Sequence, residues 1–177
     1  MSLQPAAGTA SFTFLRLSAD TTITGNGDYS LTFVGPNNGS ADGIYVGGHT
    51  LTLRDLKLYA FNNIRYAMDG GASWQSALYL DSCSGILSAD EAAIFRFPQG
   101  VTLDDSCFVQ PFGAVVDSQG IVCEADGSTW ATRVVLGKGP YPLGVGGVTV
   151  TESNKDNILG DTGCTFSFDP DRLTLYI

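Results

Sequence analysis

Two stretches of this chain read alike. Residues 18–25 and 40–47 both begin with Ser-Ala-Asp, and each precedes a segment of alternating apolar residues. An Asp-Ser-Cys triplet at positions 81–83 recurs at positions 105–107, and Ser-Ala-Asp appears a third time at positions 88–90. Repeats of roughly 20 to 50 residues are typical of stacked architectures, in which each unit buries its apolar face against its neighbours.

Alternation of apolar and polar residues runs through much of the chain, as it does in strands with one buried face. It is longest over residues 50–59, where its phase slips by one position between Leu53 and Leu56. The slip predicts a bend near Arg54 and Asp55, where the strand turns a corner of a coil. The predicted core positions of this segment are Leu51, Leu53, Leu56 and Leu58.

Together the repeats and the alternation predict an all-β fold. We expect a single-stranded right-handed parallel β-helix over residues 5–138, with five or six coils of about 22–24 residues. Asp126-Gly127 between two β runs predicts a hairpin at about residues 113–136, which would cap the open end of the solenoid. Residues 139–177 are expected to form a small C-terminal β segment, and one interpretation is that this segment starts a next repeat unit.

The charge balance excludes several classes of partner. The chain has 18 acidic and 9 basic residues, a net charge of −9, and the basic residues never cluster. Nucleic acids and anionic membranes are therefore not expected as partners, because both are held by positive charge. No apolar run is long enough to predict a membrane span. Glycine (22 residues) and a low charged fraction of 15% are typical of secreted β proteins, so the predicted location is extracellular, cell-surface or secreted.

The first residues, Met-Ser-Leu, lack the charged and apolar regions of a signal peptide. We interpret them as a remnant ahead of an excised fragment, which predicts a larger multi-repeat parent chain. Four cysteines have spacings that match no zinc or redox motif, and each is expected to be a small buried hydrophobe. If Cys83 and Cys107 occupied equivalent places on adjacent coils, they would be within disulfide reach. The other two are Cys123 and Cys164.

The residues that could carry chemistry are sparse. Arg54, Asp55 and Lys57 are the nearest thing to a catalytic constellation, and we expect them on a solvent face. The only histidine, His49, follows two glycines and has no accompanying nucleophile motif, so it is predicted to be a turn residue. No catalytic residue and no cofactor is expected. Calcium in acidic loops remains an alternative, with candidates Asp42, Asp69, Asp104, Asp105, Asp156, Asp161, Asp169 and Asp171, although none fits a known calcium loop.

Parts of the chain resemble known sequences. Residues 141–151, 154–161 and 165–175 resemble a segment repeated in large cell-surface proteins of gut anaerobes, where it introduces a β-helical, adhesin-like or carbohydrate-binding unit. Residues 43–53 resemble a coil of right-handed β-helix proteins related to pectin lyases. Together these segments contain 41 of the 177 residues. The resemblance implies fold and surface location, and it carries over no catalytic residue.

Aromatic side chains are the best remaining candidates for a binding site, because sugars present apolar C–H faces together with hydroxyl groups. Trp74 is predicted to lie in a loop with Tyr66 nearby, and Trp130 is predicted to lie on the hairpin beside Asp126. We therefore expect a non-enzymatic module of a bacterial surface protein, active in adhesion or glycan binding to a host or bacterial surface. Two alternatives stay open: a β-helical polysaccharide lyase or glycoside hydrolase, and a structural spacer in a surface stalk.

Overall fold

The structure is a computed structural model that describes residues 2–3, 11–89, 93–111, 113–139, 143–151, 154–160, 163, 165–169 and 174–177. It is a β-solenoid of about three turns, followed by small antiparallel hairpins, and no described segment is helical. The described residues accordingly contain no helix that could span a membrane. The predicted all-β class and parallel β-helix are confirmed. The expected number of five or six coils is wrong.

The strands, in chain order, are β1 (Ser2–Leu3), β2 (Ser11–Arg16), β3 (Thr21–Thr24), β4 (Ser30–Val34), β5 (Ser40–Tyr45), β6 (Thr50–Arg54), β7 (Lys57–Phe61), β8 (Ile64–Asp69), β9 (Ala77–Asp81), β10 (Ser84–Ser88), β11 (Phe95–Arg96), β12 (Val101–Asp104), β13 (Ser106–Gln110), β14 (Val115–Val116), β15 (Val122–Cys123), β16 (Arg133–Lys138), β17 (Gly144–Val145), β18 (Val148–Thr149), β19 (Ser167–Asp169) and β20 (Thr174–Tyr176). Each turn of the solenoid contributes one strand to each of three sheets, which we call A, B and C.

Sheet B has the order β2-β5-β8-β11 and sheet C the order β3-β6-β9-β12, both parallel throughout. Sheet A has the order β1-β4-β7-β10-β16-β13, in which β16 runs antiparallel to both of its neighbours.

The register of the coils differs from the spacing of the sequence repeat. Ser40 pairs with Ser11 of the preceding coil, whereas Ser18 lies between β2 and β3. In sheet C, Leu78 pairs with Leu51 of the coil before it and with Val101 of the coil after it, so the two intervals along the chain are unequal. The loops at the corners differ in length. Rows of buried side chains therefore set the register of the coils, and the repeated Ser-Ala-Asp triplet does not.

The core is built from rows of inward-facing side chains on successive coils. All four predicted positions, Leu51, Leu53, Leu56 and Leu58, are buried, which confirms that prediction. The predicted bend is also confirmed: β6 ends at Arg54, Asp55 has a φ of +50°, and β7 begins at Lys57. Ser82 and Asp105 have φ values of +52° and +46° at the same corner of the next two coils. A left-handed residue at each corner reverses the alternation, so that Leu56 as well as Leu53 can face the core.

The predicted hairpin turn around Asp126 and Gly127 is present, and its role as a cap of the solenoid stays a prediction. Its turn is closed by a hydrogen bond from the Glu124 N–H to the Thr129 carbonyl, and Cys123 bridges Trp130. The chain then continues into β16, which enters sheet A between β10 and β13. The short hairpin of β14 and β15 contacts the solenoid through Gly120, whose carbonyl accepts a hydrogen bond from the Phe97 N–H.

The cysteines Cys83, Cys107 and Cys123 are free thiols, and Cys164 lies outside the described residues. The disulfide considered between Cys83 and Cys107 is therefore wrong. The two cysteines are offset by one residue. The Cys83 N–H donates a hydrogen bond to the hydroxyl of Ser106, so Ser106, and not Cys107, is the neighbour of Cys83 on the next coil. Cys83 and Cys123 are buried as expected, and burial raises the pKa of both thiols. Cys107 is only half-buried.

The C-terminal part has its own small core of Val150, Ile158 and Phe168. Two antiparallel pairs, β17 with β18 and β19 with β20, flank this core. This matches the small β segment expected after residue 138. Whether residues 5–138 and 139–177 are separate domains stays a prediction.

Candidate functional site

The four aromatic and acidic residues predicted for binding lie in three separate parts of the fold. Trp74 lies in the loop between β8 and β9 and is 68% exposed. Tyr66 is half-buried on β8, in sheet B. Trp130, 44% exposed, and Asp126 lie in the hairpin that follows β15. The structure therefore places Trp130 and Asp126 on one hairpin, but it does not bring all four residues into one site.

Tyr66 is surrounded by ion pairs that join successive coils. Arg65 on β8 donates two hydrogen bonds to Asp42 on β5, and Arg96 on β11 donates two to Asp69 on β8. Both guanidinium groups lie over the Tyr66 ring, with Cζ at 5.3 Å and 4.6 Å from its centroid. Cation–π contacts of this kind hold the arginines in place. Tyr66 thus contributes to coil stacking and offers a ligand little free ring surface.

Asp126 is engaged by its own turn. Its carboxylate accepts hydrogen bonds from the Thr129 hydroxyl at 2.6 Å and from the Ser128 and Thr129 N–H groups at 2.8 Å. These donors, the Thr129 hydroxyl foremost, lower the pKa of Asp126 to about 2. Asp126 therefore shapes the turn that carries Trp130, and few of its acceptor sites remain for a ligand.

The titration of Asp126 is a direct test of this turn. Because its folded pKa of about 2 lies below the unfolded value of about 3.9, its stabilising contribution is fully present above about pH 4 and is lost as the pH falls through 2. We expect the carboxyl carbon in an NMR titration to have a midpoint near 2, and Thr129→Val to raise it. A midpoint near 4 in the unmutated protein would show that the turn is not formed in solution.

A different surface, on the outer face of sheet C, forms an open concavity. We call it the sheet C groove; it is open and has a volume of about 480 Å³. Alternation along β6 and β9 places leucines inward and polar or aromatic residues outward, which is why polar side chains and a tyrosine ring line the groove. It is lined by Thr52, Arg54, Tyr79, Asp81, Thr102, Leu103 and Asp104.

The outward residues of the groove form two rows across three adjacent strands. Tyr79 is paired with Thr52 on one side and with Thr102 on the other, so two hydroxyl groups flank the phenol ring. Asp81 is likewise paired with Arg54 and with Asp104. Neighbouring strands lie about 4.8 Å apart and the two rows roughly 7 Å apart. Tyr79 is 43% exposed, so its ring is open to solvent at the centre of this array.

An ion pair dominates the charge of the groove. The Arg54 Nε donates to the Asp81 Oδ2 at 2.5 Å, and this hydrogen bond raises the pKa of the guanidinium. Asp55 and Asp104 act on Arg54 in the same direction. Arg54 is thus held as a cation among carboxylates. Of the expected constellation of Arg54, Asp55 and Lys57, only Arg54 lines the groove, because the corner at Asp55 sends Lys57 into sheet A.

Sequence reasoning missed Tyr79, although a signal for it was present. Tyr79 occupies an outward position of its alternating segment, so an exposed aromatic ring could have been predicted there. Its partners Thr52 and Thr102 belong to the preceding and the following coil and are far from it along the chain. Only the true register shows that these three residues are neighbours.

The acidic loops provide no calcium site in the part of the chain that the structure describes, where no group of three or more His, Cys, Asp or Glu residues is arranged to hold a metal ion. Asp42 and Asp69 instead bind arginines. Asp161 and Asp171 lie outside the described residues. His49 lies between β5 and β6, with its Nδ1 at 3.8 Å from the Asp20 Oδ1.

No protein-family model, curated protein or solved structure matches this chain. Its likeness to β-helical surface proteins of gut anaerobes therefore stays a sequence interpretation.

Proposed function

We propose that this chain is a non-enzymatic extracellular module of a bacterial surface protein, which binds glycans through the sheet C groove. The observation that carries the proposal is the exposed Tyr79 ring, flanked by the Thr52 and Thr102 hydroxyls and followed by the Arg54–Asp81 ion pair. A sugar ring offers an apolar face for stacking and a rim of hydroxyl groups for hydrogen bonding. The groove offers the complementary groups, an exposed aromatic ring with hydroxyl, carboxylate and guanidinium groups beside it.

The groove is also well supported from below. Leu51, Leu53, Leu78 and Leu80, the inward residues of β6 and β9, are all fully buried. Parallel pairing with both neighbouring strands holds β9, which carries Tyr79 and Asp81. A site on such a sheet loses little conformational entropy when a ligand binds, because its side chains already lie on a rigid surface.

The glycoside hydrolase alternative is favoured by one observation, the pairing of Asp81 with Asp104 on adjacent strands of the same groove. A hydrolase needs one carboxyl group to donate a proton and the other to act as base or nucleophile. Asp81 already accepts the short hydrogen bond from Arg54. A lyase would need a base, and the raised pKa of Arg54 keeps that residue protonated. Binding without cleavage is therefore the better-supported function.

The test is binding of the protein to a broad array of oligosaccharides, with Tyr79→Ala as the critical variant. We expect saturable binding that Tyr79→Ala weakens by about fivefold or more, since stacking on one aromatic ring contributes on the order of 1 kcal/mol beyond the area it buries. Tyr29→Ala is the matched control, because Tyr29 is also an exposed tyrosine but lies outside the groove. Trp74→Ala and Trp130→Ala test the platforms predicted from sequence.

Three outcomes would contradict the proposal. Absence of binding to every oligosaccharide on the array would favour the alternative in which the chain is a structural spacer. Loss of binding in Trp74→Ala or Trp130→Ala but not in Tyr79→Ala would show that the binding site lies at that tryptophan and not in the sheet C groove. Release of new reducing ends from any bound glycan, abolished by Asp81→Asn or Asp104→Asn, would show that the groove is catalytic. Thermal melting of each variant checks that it is folded.

A further inference from the structure

We infer that the sheet C groove selects uncharged sugars and rejects uronate- or sulfate-bearing chains. This inference rests on the proposed function and adds a ligand class to it. It follows from the number, sign and pairing of the charges that line the groove.

Negative charge is in excess in the groove. Its lining has one cation, Arg54, against two carboxylates, Asp81 and Asp104. Asp55 and Asp105, at the adjoining corner, add two more carboxylates immediately after Arg54 and Asp104 in the chain. The whole chain has a net charge of −9, so the longer-range field has the same sign. An anionic ligand is therefore repelled both on approach and at the site.

The charge of the one cation in the groove lining, Arg54, is already offset by the carboxylate that it binds. Arg54 is bound to Asp81 at 2.5 Å, and an incoming carboxylate or sulfate would have to compete with that partner. A uronate that captured the guanidinium would leave the Asp81 carboxylate unpaired, with Asp104 as its neighbour on the next strand. The repulsion between these two neighbouring carboxylates disfavours the complex with the uronate.

A neutral sugar meets the opposite situation. Its hydroxyl groups can donate to the carboxylates of Asp81 and Asp104, and hydrogen bonds to a charged acceptor are stronger than neutral ones. Thr52 and Thr102, one on each side of Tyr79, can both donate and accept. A ring stacked on Tyr79 thus finds partners for its hydroxyl rim, whereas a carboxylate, which only accepts, can form no hydrogen bond with the carboxylates of Asp81 and Asp104.

The experiment compares matched pairs of probes that differ in charge. Neutral glucan, galactan and mannan oligosaccharides are each paired with their C6-carboxylate forms, and affinities are measured by calorimetry at low and high NaCl. We expect the neutral member of any bound pair to bind at least about tenfold more tightly at low salt, with the ratio shrinking at high salt as repulsion is screened. A carboxylate form that binds as tightly as its neutral partner, or more tightly, overturns the inference.

Asp104→Asn locates the effect, because it removes one negative charge and keeps the shape of the side chain. We expect it to reduce the neutral-to-anionic affinity ratio by about threefold or more at low salt. Asp156→Asn changes the net charge equally but lies on an exposed turn of the C-terminal part, so it should leave the ratio unchanged. An equal effect of both variants overturns local selection. No binding of any probe, neutral or anionic, contradicts the proposed function itself, whereas anionic preference contradicts only the inference.

Discussion

Replacing Arg96 with alanine is expected to lower the free energy of unfolding by about 3 kcal/mol, because it leaves a buried carboxylate without its cation. The Asp69 side chain is 3% exposed and accepts hydrogen bonds at 2.8 Å and 2.7 Å from Arg96. After the substitution, the Gly71 N–H, at 2.7 Å, is the one donor left to this carboxylate among the described residues. Urea denaturation followed by circular dichroism measures the loss.

Arg54→Ala is the matched control for that measurement. Arg54 also pairs with an aspartate of the next coil, but its side chain is 51% exposed, and ion pairs in contact with solvent contribute little to stability. We therefore expect Arg54→Ala to have less than about one third of the effect of Arg96→Ala. Equal losses in the two variants would mean that burial of Asp69 is not the reason for the effect.

Gly120→Ala is expected to destabilise the protein by about 3 kcal/mol, because it combines backbone strain with a steric overlap. Gly120 has a φ of +72°, and a Cβ built on it would lie 1.6 Å from the Phe97 carbonyl oxygen. The hairpin of β14 and β15 must then move away from the end of the solenoid. Denaturation measures the stability, and binding of a hydrophobic dye measures exposure of that end.

Gly160→Ala separates the two causes. Gly160 has nearly the same φ, +70°, but a Cβ there would meet nothing within 4 Å. It should cost only the strain of a left-handed residue, about 1 kcal/mol, and should not increase dye binding. If Gly120→Ala behaved like Gly160→Ala, the close contact with Phe97 would not be present in solution.

The sequence was a good guide to the local structure of the solenoid. The alternation over residues 50–59 predicted which leucines face the core, and the phase slip predicted the corner at Asp55. Both features depend only on residues near each other in the chain. The number and length of the coils depend on pairing between distant strands, and there the Ser-Ala-Asp echo was misleading, since Ser18 and Ser40 occupy different positions in their coils.

The same distinction explains why the groove was missed. Each of its lining strands looked ordinary alone, and Arg54, Asp81 and Asp104 come from three different coils, at unequal intervals along the chain. Their neighbourhood is a product of register, which a single sequence does not reveal. Trp74 and Trp130 drew attention because tryptophan is rare, and their exposure was a reasonable prediction, but a tyrosine in the outward phase of a central strand carries the more complete set of partners.

The position of β16 in sheet A has a consequence for how the chain folds during synthesis. The first three coils can form in order, each strand pairing with one already made. β13 cannot pair in this way. In the described part of the chain its sheet A partner is β16, so Ser106 can pair with Lys138 only after β16 has been made. Until then, β10 has an unpaired edge to which another strand can add. β16 thus separates β13 from β10, and the pairing of β13 in sheet A requires the chain to have been made as far as residue 138.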